Sequence, residues 1–231
     1  TITDVGCETS IEITLVNPNV LSVVIAEIES IDCFDGNNGT LQAQVTGGIE
    51  PYVYQWFRQE NGNYVNLNQN VVSIENLIAG NYRILLTDAN IEEVQIDYTL
   101  TQPEEIVASS TINHVTCNGS NDGSVTLTPT GGAGNYTISW LDDSTITSFN
   151  RSDLVAGEYY YTISDEKGCI LDSSVTITEP SFVVITTENK QNPSISTATD
   201  GSIDISVTGG TTPYSFEWKN SNGDIIIIAC N

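Results

Sequence analysis

The feature that most constrains this chain is an internal repeat. Three tryptophans, at 56, 140 and 218, each close a similar phrase. The first runs Val45-Thr-Gly-Gly-Ile-Glu-Pro-Tyr-Val-Tyr-Gln-Trp56, the second Pro129-Thr-Gly-Gly-Ala-Gly-Asn-Tyr-Thr-Ile-Ser-Trp140, and the third Val207-Thr-Gly-Gly-Thr-Thr-Pro-Tyr-Ser-Phe-Glu-Trp218. Asp35-Gly-Asn-Asn-Gly39, Ser120-Asn-Asp-Gly123 and Thr199-Asp-Gly201 keep the same step, as do Ala79-Gly-Asn-Tyr82 and Ala156-Gly-Glu-Tyr159. So do Leu15-Val-Asn-Pro18, Leu100-Thr-Gln-Pro103 and Ile177-Thr-Glu-Pro180. Self-similarity at a fixed period marks a stacked array of one structural unit. The phase gives the boundaries: 1–18 the tail of a preceding unit, 19–103 and 104–180 two complete units, and 181–231 the first part of another. With no Met in the chain, this window reads as a piece of a longer, processed array.

Within each unit apolar residues alternate with period two, the mark of a half-buried strand. Tyr82, Ile84 and Leu86 share a face, as do Tyr159, Tyr161 and Ile163, and Tyr214, Phe216 and Trp218. Thr, Val, Ile and Tyr suit a pleated surface, and Gly and Pro punctuate the runs. About seven short strands in roughly 80 residues, with a Trp on the third, point to an all-β, immunoglobulin-like sandwich repeated in an elongated array. Trp56, Trp140, Trp218, Tyr82 and Tyr159 are the expected core. Leu77-Ile-Ala-Gly-Asn-Tyr82 and Leu154 to Tyr159 have the form of a tyrosine corner.

Composition excludes several functions. Six Lys and Arg stand against 30 Asp and Glu, a formal charge of −24, and the six cations are scattered. Phosphate contacts need cations, so nucleic-acid binding is excluded and anionic lipid is repelled. No apolar run approaches the ~18 residues a membrane helix needs. Thr1 to Val5 shows no charged segment followed by an apolar stretch, so no signal peptide is visible. His114 is the single histidine and reads as an ordinary strand residue. No Gly-x-Ser-x-Gly elbow and no zinc spacing is present, and no helix or Lys follows the Gly-Gly pairs. An enzyme is not expected. The tryptophans could stack on sugars, but their alternation with Tyr and Phe places them in the core.

The string Cys117-Asn-Gly-Ser-Asn-Asp-Gly-Ser124, Thr130-Gly-Gly, Tyr136 to Trp140, Ala156-Gly-Glu-Tyr, Asp165-Glu-Lys-Gly-Cys169 and Thr178-Glu-Pro180 resembles the SprB repeat. That module is similar to PKD and other immunoglobulin-like domains. It occurs in tandem in very large surface adhesins of Bacteroidota, including gliding-motility adhesins exported by the type 9 secretion system. The resemblance spans essentially the whole chain and implies an extracellular, surface-anchored location. It identifies no ligand. Ala89-Asn-Ile-Glu stands where Asn-Gly-Cys is usual, Ile195 replaces the first cysteine of the last unit, and the tail Asp224 to Asn231 matches neither complete unit.

Five cysteines are present: Cys7, Cys33, Cys117, Cys169 and Cys230. An extracellular setting permits disulfides. In a sandwich the first interstrand loop, with Cys33 or Cys117, lies at the pole where the chain leaves. The last hairpin, with Cys7 or Cys169, lies at the opposite pole. A Cys33–Cys169 bond between repeats is therefore one expectation, a Cys117–Cys169 bond within a repeat another, and free thiols a third. The same geometry brings loop acids to the poles. Asp35, Asp122 and Asp200 lie in the Asp-Gly loops, and Asp4, Asp88 and Asp165 begin the last hairpin. Asp35, Asp122, Asp200, Asp88 and Asp165 are calcium candidates, since Ca²⁺ takes six to eight oxygens. Against this, Asp-Gly and Asn-Gly also simply form turns. No other cofactor is expected.

The expected role is a non-catalytic stalk and adhesive spacer of a surface filament, possessing a part in gliding motility if the resemblance extends that far. The alternative is an accessory spacer or carbohydrate-binding module of a secreted polysaccharide-degrading enzyme. Expected partners are neighbouring repeats, surface glycans, secretion or gliding machinery, and other copies in a filament.

Overall fold

In a computed structural model the backbone is described for residues 2–4, 7–9 and 20–230, and the side chains for 20–225. Cys7, Cys230 and Asp4 therefore lie outside the described side chains. All described regular structure is β. The chain divides into two compact units, Thr1–Glu105 and Ile106–Asn231.

The first unit opens with a hairpin, β1 (Ile2–Asp4) and β2 (Cys7–Thr9). Its body has seven strands: β3 (Ser22–Glu29), β4 (Gly39–Thr46), β5 (Val53–Glu60), β6 (Asn63–Asn66), β7 (Ser73–Leu77), β8 (Gly80–Thr87) and β9 (Glu93–Leu100). They form two antiparallel sheets, ordered β3-β4-β7 and β6-β5-β8-β9. Alternation explains the pairing, because each sheet turns one face inward. Val23, Leu41, Ala43, Ile74 and Leu77 of the first sheet join Trp56, Tyr82, Ile84, Leu86 and Leu100 of the second in one core. This is the immunoglobulin-like arrangement, two sheets closed over one apolar layer. Trp56 is 0% exposed and its Nε1 donates to the Val71 carbonyl at 2.9 Å. The indole is buried with its one donor satisfied.

The second unit repeats the plan. Strands β10 (Val107–Asn113), β11 (Gly123–Thr130), β12 (Thr137–Trp140), β13 (Asn150–Leu154), β14 (Gly157–Ser164) and β15 (Ile170–Ile177) form sheets β10-β11-β13 and β12-β14-β15. Trp140 is 0% exposed, donates to the Ser148 carbonyl at 3.1 Å, and meets Tyr161 edge-on at 5.3 Å. No described strand occupies the place of β6 here, and β12 is an edge of its sheet.

Four further strands follow: β16 (Val184–Gln191) with β17 (Ser202–Thr208), and β18 (Ser215–Lys219) with β19 (Ile225–Cys230). These correspond to β3, β4, β5 and β6 of the first unit. Among the described residues no strand plays the part of β7, β8 or β9. Trp218, expected in a core, is half-buried among the described residues and lines an open cavity of about 490 Å³ beside Pro193 and Ile203.

Tyr82 is 1% exposed and donates to the Ile78 carbonyl at 2.8 Å. Tyr159 donates to the Val155 carbonyl at 3.0 Å, so both tyrosine corners form. Tyr159, however, is only partly buried, and Tyr161 is the deeply buried tyrosine of its strand. The reason lies in strand length. On β5 Arg58 stands opposite Tyr82, whereas β12 ends at the Trp140–Tyr161 pair and leaves Tyr159 without a neighbour on that side.

Candidate functional site

The registers fix two poles for each sandwich. At the leading pole, where the chain enters, lie the Gly-Gly turn and the last hairpin. At the trailing pole lie the first loop and the end of the last strand. The repeated motifs collect at these poles.

The leading pole explains the Thr-Gly-Gly phrase. Gly47 and Gly48, and Gly131 and Gly132, all have positive φ, which glycine adopts without strain. The second glycine also has no room for a side chain. A Cβ on Gly132 would lie 2.6 Å from Asp165 Oδ2, and one on Gly48 2.7 Å from Leu21. Five residues after the first glycine a tyrosine hydroxyl donates back to its carbonyl: Tyr52 to Gly47 at 2.6 Å, Tyr136 to Gly131, and Tyr214 to Gly209. The sequence places Tyr214 on a strand face and Tyr136 in the repeat motif; the fixed spacing of this tyrosine from the glycine in all three units carries the hydroxyl lock.

An aspartate from the last hairpin completes the lock. Asp88 is 5% exposed and accepts N–H bonds from Ile49 (3.0 Å), Asn90 (2.8 Å) and Glu92 (3.0 Å). Asp165 is 7% exposed and accepts from Ala133 (2.8 Å), Lys167 (2.9 Å) and Cys169 (2.9 Å). Burial works against the charged form in both, but the backbone donors outweigh it and hold both carboxyls below their ordinary pKa. Each buried carboxylate thus ties the Gly-Gly turn to the hairpin.

At the trailing pole Asp122 accepts from the N–H and hydroxyl of Thr116, at 3.0 and 2.5 Å, and Asp200 accepts from Ser194 N–H at 2.9 Å. In the first unit that role falls to Asn38, which accepts from Asp32 N–H at 3.1 Å, and not to Asp35. Asp35 has φ 55° and its own N–H donates to Gln102 at 3.2 Å. The Thr116 hydrogen bonds hold Asp122 below the usual carboxylate range. The glycine that follows is packed tight, since a Cβ on Gly123 would lie 2.8 Å from the Leu154 carbonyl oxygen.

The five calcium candidates are therefore spread over five turns. Four of them, Asp88, Asp122, Asp165 and Asp200, direct carboxylate oxygens at N–H donors of their own loops. Among the described residues no group of three or more His, Cys, Asp or Glu side chains could hold one ion together. In Asp88 and Asp165 backbone N–H groups occupy three of a carboxylate's four or so acceptor positions.

Cys33 and Cys169 are both disulfide-bonded, and Cys117 is an exposed free thiol. The Cys117–Cys169 pair is thus not made, and the poles give the reason. Cys117 sits in the trailing-pole loop with Asn118, whose side-chain amide donates to the Pro180 carbonyl. Cys169 sits in the leading-pole hairpin of the same sandwich, a strand length away and beyond the ~7 Å Cα limit for a disulfide. His114 Nδ1 accepts from Thr178 N–H at 3.1 Å, a structural role at the end of β10.

Two arginines brace the sheets. Arg83 binds Asp97 in bidentate fashion, at 2.6 and 2.8 Å, and lies 3.8 Å from the Tyr64 ring centre. Arg151 grips Asp142 at 2.8 and 2.9 Å and stacks over Trp140 and Tyr159. The Arg83 hydrogen bond lowers the Asp97 pKa and the Arg151 hydrogen bond that of Asp142.

Comparison with known proteins agrees with this repeat plan. The family model described as SprB repeat matches three times, at residues 25–58, 109–145 and 187–223. No curated protein matches the sequence. Several solved structures are similar at low scores. One reported as the structural basis for Dscam isoform specificity shares 13% identity at TM-score 0.33, covering 71% of this chain and 46% of that one. The N-terminal eight Ig domains of Down Syndrome Cell Adhesion Molecule share 14% at 0.33, covering 85% and 30%. A C-terminal intimin fragment, solved with the intimin-binding domain of its translocated receptor, shares 10% at 0.31, covering 75% and 67%. The chain spans less than half the length of the first of these. The three matched segments each hold one Thr-Gly-Gly turn and its tryptophan. The chain belongs to the SprB-repeat family.

Proposed function

We propose that this chain is a non-catalytic repeat region of an adhesin-type protein displayed outside the cell, where its sandwiches act as spacer and adhesive surface. The observation that carries this reading is the threefold match to the SprB repeat, on a chain whose recurring motifs are spent on closing turns. Recurrent Asp, Gly and Tyr residues that lock loops serve the fold of each unit and leave no reacting group in common. The high negative charge keeps such repeats soluble and mutually repelling. A part in gliding motility, export by the type 9 secretion system and an origin in Bacteroidota belong to the same proposal. They follow from the family resemblance.

Cys33 and Cys169 are oxidised and Cys117 is a free thiol; oxidised cysteines fit the extracellular setting of this reading.

Surface labelling tests the location. Antibodies raised against the 231-residue chain should stain intact source cells, and brief protease treatment of those cells should remove the signal. Staining only after lysis would refute the reading.

A further inference from the structure

The outer faces of the two complete sandwiches differ in what covers them. In the first, Arg83 and Asp97 are cross-strand partners on β8 and β9, and Tyr64 of β6 lies over the guanidinium. In the second, the corresponding partners are Tyr160 and Ser174 on β14 and β15, and no described strand takes the place of β6. The result is a groove of about 640 Å³, with Ser139, Leu141, Tyr160, Thr162, Asp172 and Ser174 among its walls. Leu141 is 80% exposed and Tyr160 49%. The Tyr160 hydroxyl donates to Glu158 at 2.7 Å, and Ser174 donates to the other oxygen of that carboxylate at 2.8 Å. The ring is thereby held in place with its surface open. Thr162 donates to Asp172 at 2.5 Å along the same face.

We propose that this face binds an uncharged polysaccharide, with the Tyr160 ring and Leu141 under the sugar's C–H face and Ser139, Thr162, Asp172 and Ser174 bonding its hydroxyls. Three observations select that chemistry. The groove combines an apolar platform with hydroxyl and carboxylate walls whose remaining lone pairs face water, and a purely apolar ligand would strip that water without replacing it. No Lys or Arg lines it, and the chain carries a charge of −24, so an acidic ligand is repelled. A smaller groove of about 270 Å³ in the first sandwich pairs Tyr54 with the amides of Gln55, Asn66 and Asn70, and it too has no Lys or Arg in its walls. Concave sites with an apolar floor and a few placed polar groups are the usual form of ligand sites.

This inference deepens the surface reading and rests on it. The full 231-residue chain, unreduced, would be tested for retention on immobilised dextran, laminarin, hydroxyethylcellulose and galactomannan, with alginate and poly-lysine as charged probes. At least one neutral polymer is expected to retain it. Tyr160→Ala should weaken that retention roughly three- to tenfold, the worth of one aromatic contact, with melting unchanged. Tyr64→Ala should leave it intact. Retention by none of the neutral polymers, retention only by poly-lysine or alginate, or native binding by both Tyr160→Ala and Asp172→Ala would overturn the proposal. These outcomes leave surface staining of cells unaffected, so the two readings fail separately.

Discussion

Replacing Trp56 by alanine removes the largest side chain from the core of the first sandwich. The indole is 0% exposed there and its Nε1 bonds the Val71 carbonyl. Burying about 200 Å² of aromatic surface at roughly 25 cal/mol per Å² gives about 5 kcal/mol as an upper figure. Measured Trp-to-Ala losses in cores run about 3–5 kcal/mol. A small domain has only about 5–15 kcal/mol in total, so the first sandwich should be left marginal. The matching change at Trp218 removes a half-buried ring from an open cavity and should cost under about 1 kcal/mol. Urea titration of the native chain, Trp56→Ala and Trp218→Ala, followed by circular dichroism, measures both. A Trp56→Ala loss below about 1 kcal/mol, or equal losses at the two sites, would refute the closed-core reasoning.

Acid should weaken both sandwiches. Asp88, Asp97, Asp142 and Asp165 have folded pKa values below the ordinary carboxylate value. Their contribution is therefore complete above about pH 4 and is lost as the pH falls through the folded values. Melting temperature measured from pH 7 to pH 2 should drop below about pH 4, and Asp88→Asn should lower it at pH 7 while flattening that drop. Alkylation without reductant should label Cys117 and leave Cys33 and Cys169 unlabelled until a reductant is added; labelling of either before reduction would refute their oxidised state. Calcium at millimolar concentration, or a chelator, should leave the melting temperature unchanged, because the turn aspartates already accept backbone hydrogen bonds. A clear rise with calcium would show that one of these loops rearranges to bind it.

Much of the architecture was legible in the sequence because the repeat supplies its own controls. Period-two alternation assigned Tyr82, Ile84 and Leu86 to an inner face, and all three are buried. The tyrosine corner was legible from Ala-Gly-x-Tyr. Other features depend on the length of a neighbouring strand, which no motif encodes. Tyr159 has the same motif as Tyr82, yet it is less covered because β12 stops at Trp140 where β5 runs on to Glu60. Trp218 lies in the same phrase as Trp56, yet among the described residues it is only half-buried. The aspartates were harder still. A polar residue at a turn reads alike as a ligand or as a hydrogen-bond acceptor, and only the positions of the Ile49 and Ala133 N–H groups distinguish them. Spacing also grouped Asp35 with Asp122, whereas the residue preceding the packed glycine in the first unit is Asn38.

Hydrogen exchange resolved by peptide tests the repeat architecture most directly, since protection follows the local free energy of opening. Peptides covering β4, β5 and β8, and those covering β11, β12 and β14, should form two slowly exchanging sets, while 184–230 exchanges much faster. Uniform protection along the chain, or protection of 184–230 equal to that of the two cores, would contradict it.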